Sequence, residues 1–251
     1  MDRAEEAINT APEQALASLD SIRRTTLITA PRRARYALLK AMALDKCCID
    51  TTDINLIMPA VRYYTRKGSP DEKMRTYLYL GRIHQNAFQN DSAMVSYLRA
   101  ASYSERAVDL HYKGILMSSI SDVYRMGYNY ARALEYEEMA YSCFSAVGDT
   151  TNVWYALPHL ASLNSSKLNI SKSDSLYSVF RQMPILDTAY FVQCMNEHAA
   201  DLVLSDGVGY LEAIDIFETS TVEFNLPLSV HDSYVYAYAL EKAGKSDSAD
   251  E

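Results

Sequence analysis

Related residues return every 40 positions along this chain, and that spacing restricts the fold more than any local motif. Between Met74 and Ala100, the residues Tyr77, Leu80, Gly81, His84, Ala93, Tyr97 and Ala100 stand at the spacing of two helices joined by a turn. Steps of 40 carry Ala93 to Ala133, Ser173 and Ala213. The same steps carry Tyr97 to Glu137, Tyr177 and Phe217, so an aromatic returns in all but one copy. A fixed period of this size marks a stacked array in which each unit buries its apolar face against its neighbours. The expected fold is all-α, a solenoid of antiparallel helix pairs, running as one array over residues 1–251.

Punctuation divides the array. Gly68 is expected to stop one helix in the left-handed conformation, Ser69 to cap the next, Pro70 to occupy its first turn, and Glu72 to complete a Ser-x-x-Glu capping box. Asn90 with Asp91, Gly148 with Asp149, and Ser171 to Asp174 offer side-chain oxygens ahead of further helices. Apolar recurrence at three and four residues then predicts pairs at 32–47 with 54–67, 70–87 with 91–106, 111–126 with 130–146, 150–166 with 172–182, and 188–204 with 210–224. A helix at 12–22, the second half of an incomplete unit, precedes them, and one at 230–243 follows. No stretch alternates with a period of two, so no sheet is predicted.

Small residues mark where paired helices approach. Gly81, Ser121 and Ala161 are predicted at one contact and Ala93, Ala133, Ser173 and Ala213 at the other, since a larger side chain would force the axes apart. Tyr97, Tyr177 and Phe217 are expected to fill the space between consecutive units.

Composition narrows the function classes. The net charge is −8 and the pI about 5.2, with only Arg32, Arg33 and Arg35 as a local basic run, which argues against a nucleic-acid surface. That run reads as an exposed helix start. No apolar run is long enough to span a bilayer. His84, His111, His159, His198 and His231 form no His-Glu-x-x-His pair, Glu197-His198 reads as an accident of a helix face, and no phosphate-binding glycine loop or Gly-x-Ser-x-Gly elbow occurs. No enzymatic role, metal or cofactor is expected. Cys47, Cys48, Cys143 and Cys194 contain no Cys-x-x-Cys pair, and most are expected to be buried as small apolar residues. The opening at Met1 and the helix-like start at Lys245 to Glu251 lead us to expect a segment of a longer protein.

The unit from Met74 resembles the tetratricopeptide repeat family, with Leu80-Gly81 in its first helix and Ala93, Tyr97 and Ala100 in its second. Tyr77 stands where the family often has Trp, and His84 replaces its Tyr. The next unit keeps Tyr124, Ala133 and Ala140. The match is clearest over 74–145 and degenerate over 10–67 and 150–250, where Pro158 and Asp201 depart from the pattern. The resemblance implies a right-handed superhelix whose first helices line a concave groove that binds a protein or peptide. It places Arg75, Leu78, Arg82, Gln85 and Asn86, then Ile115, Ser118, Asp122 and Arg125, and also Tyr155, on that face. The lysines of the family's carboxylate clamp are missing. The implied role is a non-enzymatic scaffold, the sensing or docking part of a bacterial regulator tethered or lipid-anchored outside the inner membrane. The alternatives are a cytoplasmic peptide-sensing regulator and a receptor for a small ligand or carbohydrate.

Overall fold

In the computed structural model, which describes residues 1–204 and 209–245, no strand occurs among the described residues and thirteen α-helices follow one another. They are α1 (Asp2–Ala7), α2 (Pro12–Asp20), α3 (Ala30–Lys46), α4 (Met58–Lys67), α5 (Pro70–Asn86), α6 (Asn90–Ser104), α7 (Leu110–Met126), α8 (Tyr130–Ala146), α9 (Thr150–Ser166), α10 (Ile170–Gln182), α11 (Thr188–Leu204), α12 (Tyr210–Val222) and α13 (Val230–Lys242). Neighbours in the chain pack as successive pairs, as expected of an all-α solenoid. The packing divides into two compact units, Met1–Gly148 and Asp149–Glu251. The helix expected to begin at Lys245 falls on residues 246–251, outside the described residues. The short α1 has no counterpart in the sequence reading and supplies the first half of the opening pair with α2. No described helix is long and apolar enough to cross a membrane.

The period is built from one rigid element. Helices α3, α5, α7, α9 and α11 are each 17 residues long, about 25 Å at 1.5 Å per residue. Their partners range from 10 to 17 residues. Side chains of Thr29, Ser69, Asp109 and Asp149, spaced by 40, each accept a hydrogen bond from the backbone amide three residues on, and Ser229 does the same for α13. In the intervening copy the spacing slips, and Asp187 accepts from the Tyr190 amide at 3.0 Å. Each cap satisfies an amide that the first turn leaves without a helical partner.

The turns inside the pairs repeat just as strictly. Cys48, Phe88, Tyr128 and Leu168, again 40 apart, have φ of 54°, 57°, 58° and 62°. In each case the next residue's amide reaches back five residues to a carbonyl, as in Gln89 to His84 at 2.9 Å and Asn129 to Tyr124 at 2.9 Å. This is the helix stop that glycine usually provides. Gly68, expected to be left-handed, is instead extended at φ −77° and ψ 153°. A Cβ there would meet the Tyr64 carbonyl oxygen at 2.8 Å, which accounts for the glycine. Two predicted caps are also corrected. Helices α6 and α10 start at Asn90 and Ile170, so Asn90 and Ser171 to Asp174 lie inside them, and neither helix has a side-chain cap.

Burial agrees with the small-residue reading. Gly81 and Ser121 are buried, as are Ala93, Ala133, Ala161, Ser173 and Ala213. Position 81 is stricter than expected, because a Cβ on Gly81 would lie 2.2 Å from the Tyr97 ring. Tyr97 therefore closes its own helix pair, and does not only fill the space between units. Its hydroxyl donates to Gln85 Oε1 at 2.6 Å. Ser121 turns its hydroxyl to the Ala133 carbonyl at 2.9 Å, so a small polar residue serves where the opposing aromatic is replaced by Glu137. Gly114, not singled out in the sequence, does the same for Phe144, whose ring would lie 2.5 Å from an added Cβ.

In the second unit, Tyr177 and Phe217 are fully buried, and Trp154 packs on Phe180 with ring centroids 4.9 Å apart. His198 is part of this core: its ring stacks on Tyr177 at 4.2 Å and its Nε2 lies 3.2 Å from Asp174 Oδ1. Burial, opposed by Asp174, holds its pKa below the ordinary histidine value. Among the cysteines only Cys194 is buried; Cys47 and Cys143 are half-buried and Cys48 is exposed at a left-handed turn.

Two predictions follow from these contacts. Gly81→Ala, which in an unconstrained helix would stabilise by about 1 kcal/mol, is expected to destabilise by about 1–3 kcal/mol in urea unfolding because it overfills the Tyr97 contact. Phe88→Gly is expected to raise stability by about 0.5–1 kcal/mol, because relief of a left-handed non-glycine residue exceeds the added chain entropy; unchanged or lower stability in the same assay would contradict the strain reading.

Candidate partner-binding face

The first helices α3, α5 and α7 of the N-terminal unit touch in succession, so their outer-row residues form one face. Asp45, in the last turn of α3, faces Arg82 of α5, with Nε 3.4 Å from Oδ1 and side chains 24% and 33% exposed. Burial disfavours the guanidinium, while the carboxylates of Asp45 and Asp122 favour it and hold its pKa above the ordinary value. On α7, Arg125 donates from Nη2 to Asp122 Oδ1 at 3.1 Å. The result is a row of alternating charge, Asp45, Arg82, Asp122 and Arg125, laid across three helices.

The remaining predicted residues divide by depth. Leu78 and Ile115 are 0% and 8% exposed and belong to the core, so they are withdrawn from the face. An α-helix that contacts neighbours on both flanks leaves a narrow free stripe, and both residues fall outside it. Gln85 is half-buried and engaged by Tyr97. Ser118 donates to the buried Glu137 carboxylate at 3.2 Å, a contact to the second helix of its pair. Arg75 is half-buried, with its guanidinium 5.4 Å from the centre of the Tyr112 ring. Tyr155, 37% exposed, is in the second unit, where its ring lies 4.9 Å from Trp154 and 5.2 Å from Tyr190.

Arg75 Nε and, in the core beneath the face, Tyr79 Oη are buried without a hydrogen-bond partner among the described residues, and Arg82 Nε has only its ion pair with Asp45. Burial pushes the Tyr79 hydroxyl well above the ordinary tyrosine value, so it remains a proton donor. At the end of the face nearest the helix starts, the N-terminal segment lies across it. Arg35 of α3 binds both Asp2 and Glu5, and the Tyr112 hydroxyl of α7 donates to Asn9 Oδ1 at 3.2 Å. Burial pushes the Tyr112 hydroxyl up to about 12.

Asp45, Tyr79, Tyr112 and Asn9 were missed by the sequence reading. The period carried a signal for one of them: Asp45 lies 40 before Gln85 and 80 before Arg125, both predicted on the face, so it occupies the equivalent position of α3. Nothing local announces Asn9, whose partner is 103 residues away.

No protein-family model matches this chain, and no curated protein matches it. Among solved structures it is similar to BtubC (BKLC) from P. vanneervenii, at a TM-score of 0.61 over 96% of this chain and 91% of that one, with 15% identity. The two share a helical-repeat-like fold.

The charge row predicts unequal roles for its two arginines. Arg82→Gln, which leaves Asp45 half-buried without its cation, is expected to cost about 1 kcal/mol in urea unfolding. Arg125→Gln, in an exposed pair, should change stability by less than about 0.5 kcal/mol.

Proposed function

We propose that this chain is a tetratricopeptide-like scaffold without enzymatic activity, that it binds a protein or peptide on the α3, α5 and α7 face, and that it is the docking or sensing part of a membrane-tethered bacterial regulator. The observation that carries the reading is the row of fixed charges on three successive first helices, flanked by Arg75 Nε, a buried donor without a hydrogen-bond partner among the described residues, with the Tyr79 hydroxyl likewise unsatisfied in the core beneath it. Buried donors without acceptors cost stability unless something else supplies the acceptor. The backbone carbonyls and carboxylates of an extended segment are acceptors of that kind. The row already pairs its own charges, so it would select register more than it would supply affinity. The repeated caps and turns support a stacked-repeat scaffold, and the tethered role rests on the likeness of long, degenerate units to those of anchored bacterial regulators.

Photo-crosslinking in the native cell tests the face directly. A benzophenone amino acid replacing Arg125 is expected to trap a protein partner, while the same group replacing Glu135, exposed on α8, is expected to trap none. Crosslinks from position 135 with none from 125 would reject this face.

A further inference from the structure

The sequence offers only the short run Arg32, Arg33 and Arg35 as a basic feature, but folding assembles a larger one. Arg62 and Arg66 stand one turn apart on α4, with Tyr63 and Lys67 forming the neighbouring pair. Arg33, in the first turn of α3, comes up on the other side, and together these five side chains line a cleft of about 550 Å3. Among the described residues no carboxylate lines it. Among the described residues, Arg62, Arg66 and Lys67 have no acidic partner. Arg33 is steadied through one nitrogen, Nη1, which donates to the Ile28 carbonyl at 2.7 Å and the Leu27 carbonyl at 3.4 Å, and its Nε and Nη2 have no partner among the described residues. Residues 30–67 hold eight Lys or Arg against three Asp or Glu, a net +5 inside a chain whose net is −8.

We propose that this cleft is a binding site for a polyphosphoryl ligand, an anion of the pyrophosphate type. Like charges one helical turn apart repel, so Arg62 and Arg66 gain nothing from each other, and Lys67 and Arg33 add to the same unfavourable field. A compact ligand with three or four negative charges neutralises that field within one small volume; a single carboxylate leaves most of it standing. Guanidinium groups present paired N–H donors that match phosphoryl oxygens, and three of the four cations are arginines. The amino end of the 17-residue helix α3 adjoins the cleft and adds its positive pole. The neighbouring depression, lined by Arg62, Thr65, Arg66 and Tyr77, extends the positive surface, with Arg99 placed 4.5 Å over the Tyr77 ring. The site is separate from the α3, α5 and α7 face and does not depend on it.

Titration calorimetry of the full chain with sodium pyrophosphate at low ionic strength tests the assignment. Binding is expected, and added salt should weaken it. Arg62→Gln with Arg66→Gln is expected to weaken it by roughly tenfold or more, with circular dichroism unchanged. A control pair of exposed cations outside the cleft, Arg106→Gln with Lys167→Gln, should leave it intact. Should the double variant lose helicity, Arg66→Gln alone, followed by phosphorus NMR broadening of pyrophosphate, provides the same comparison. No binding, equal weakening by the control, or tighter binding of a hexaglutamate peptide than of pyrophosphate would each overturn the proposal. Co-sedimentation with phosphatidate vesicles that is lost in the Arg62 and Arg66 variant assigns the phosphoryl group to a lipid headgroup; pyrophosphate binding without co-sedimentation assigns it to a soluble ligand.

Discussion

Two helices can lie side by side at close range only if one of them surrenders its side chain at the crossing, and in this protein that concession is made to an aromatic ring. Gly81 gives way to Tyr97 and Gly114 to Phe144, each so closely that not even a methyl group would fit without a shift. Once the pair is closed, the rest follows in order. The first helix is held to 17 residues by a polar cap at its start and a left-handed residue after its end. The apolar stripe left outside the pair is then covered by the next pair. The period is a consequence of that packing, since any change in the length of a first helix would move its cap and its turn out of line with those of its neighbours.

Polar groups inside the array serve the same end. Tyr97 delivers its hydroxyl to Gln85, Ser121 its hydroxyl to a backbone carbonyl, and Ser220 its hydroxyl to Asn196 at 2.7 Å. His198 and Asp174 join two helices of the second unit in the same way. Such contacts add little net energy, but a mispaired alternative would leave the groups buried and unsatisfied, so they favour one arrangement over its competitors. The face of α3, α5 and α7 uses charge likewise. Asp45, Arg82, Asp122 and Arg125 are therefore structural members and candidate contacts at once, and a partner must work with a lattice that is already paired. By contrast, the cations of the α3 and α4 cleft are held together with no acid among the described residues that line it.

How much was legible depended on whether the signal was local. Ser69, Pro70 and Glu72 announce a capping box in four consecutive residues, and the box forms. Asp149 likewise caps α9. The turns were missed, because glycine or asparagine is the usual occupant of a left-handed stop, and here Cys48, Phe88, Tyr128 and Leu168 fill it. Gly68 misled for the complementary reason: its missing side chain relieves a clash with the Tyr64 carbonyl, and its backbone is extended. His198, read with Glu197 as an accident of a helix face, is a core residue, and the ring it stacks on, Tyr177, belongs to another helix.

The sequence by itself determined the class of fold and the beat of its helices, since caps, small residues and apolar stripes act within one or two turns and are written in consecutive letters. Only the tertiary structure decided which charges meet. Asp45 finds Arg82, Arg33 joins Arg62 and Arg66, and Asn9 reaches Tyr112 across 103 residues, because those distances are set by how one helix is laid against another. Side-chain pairing between helices depends on rotation and offset at each crossing, and a repeat length fixes neither.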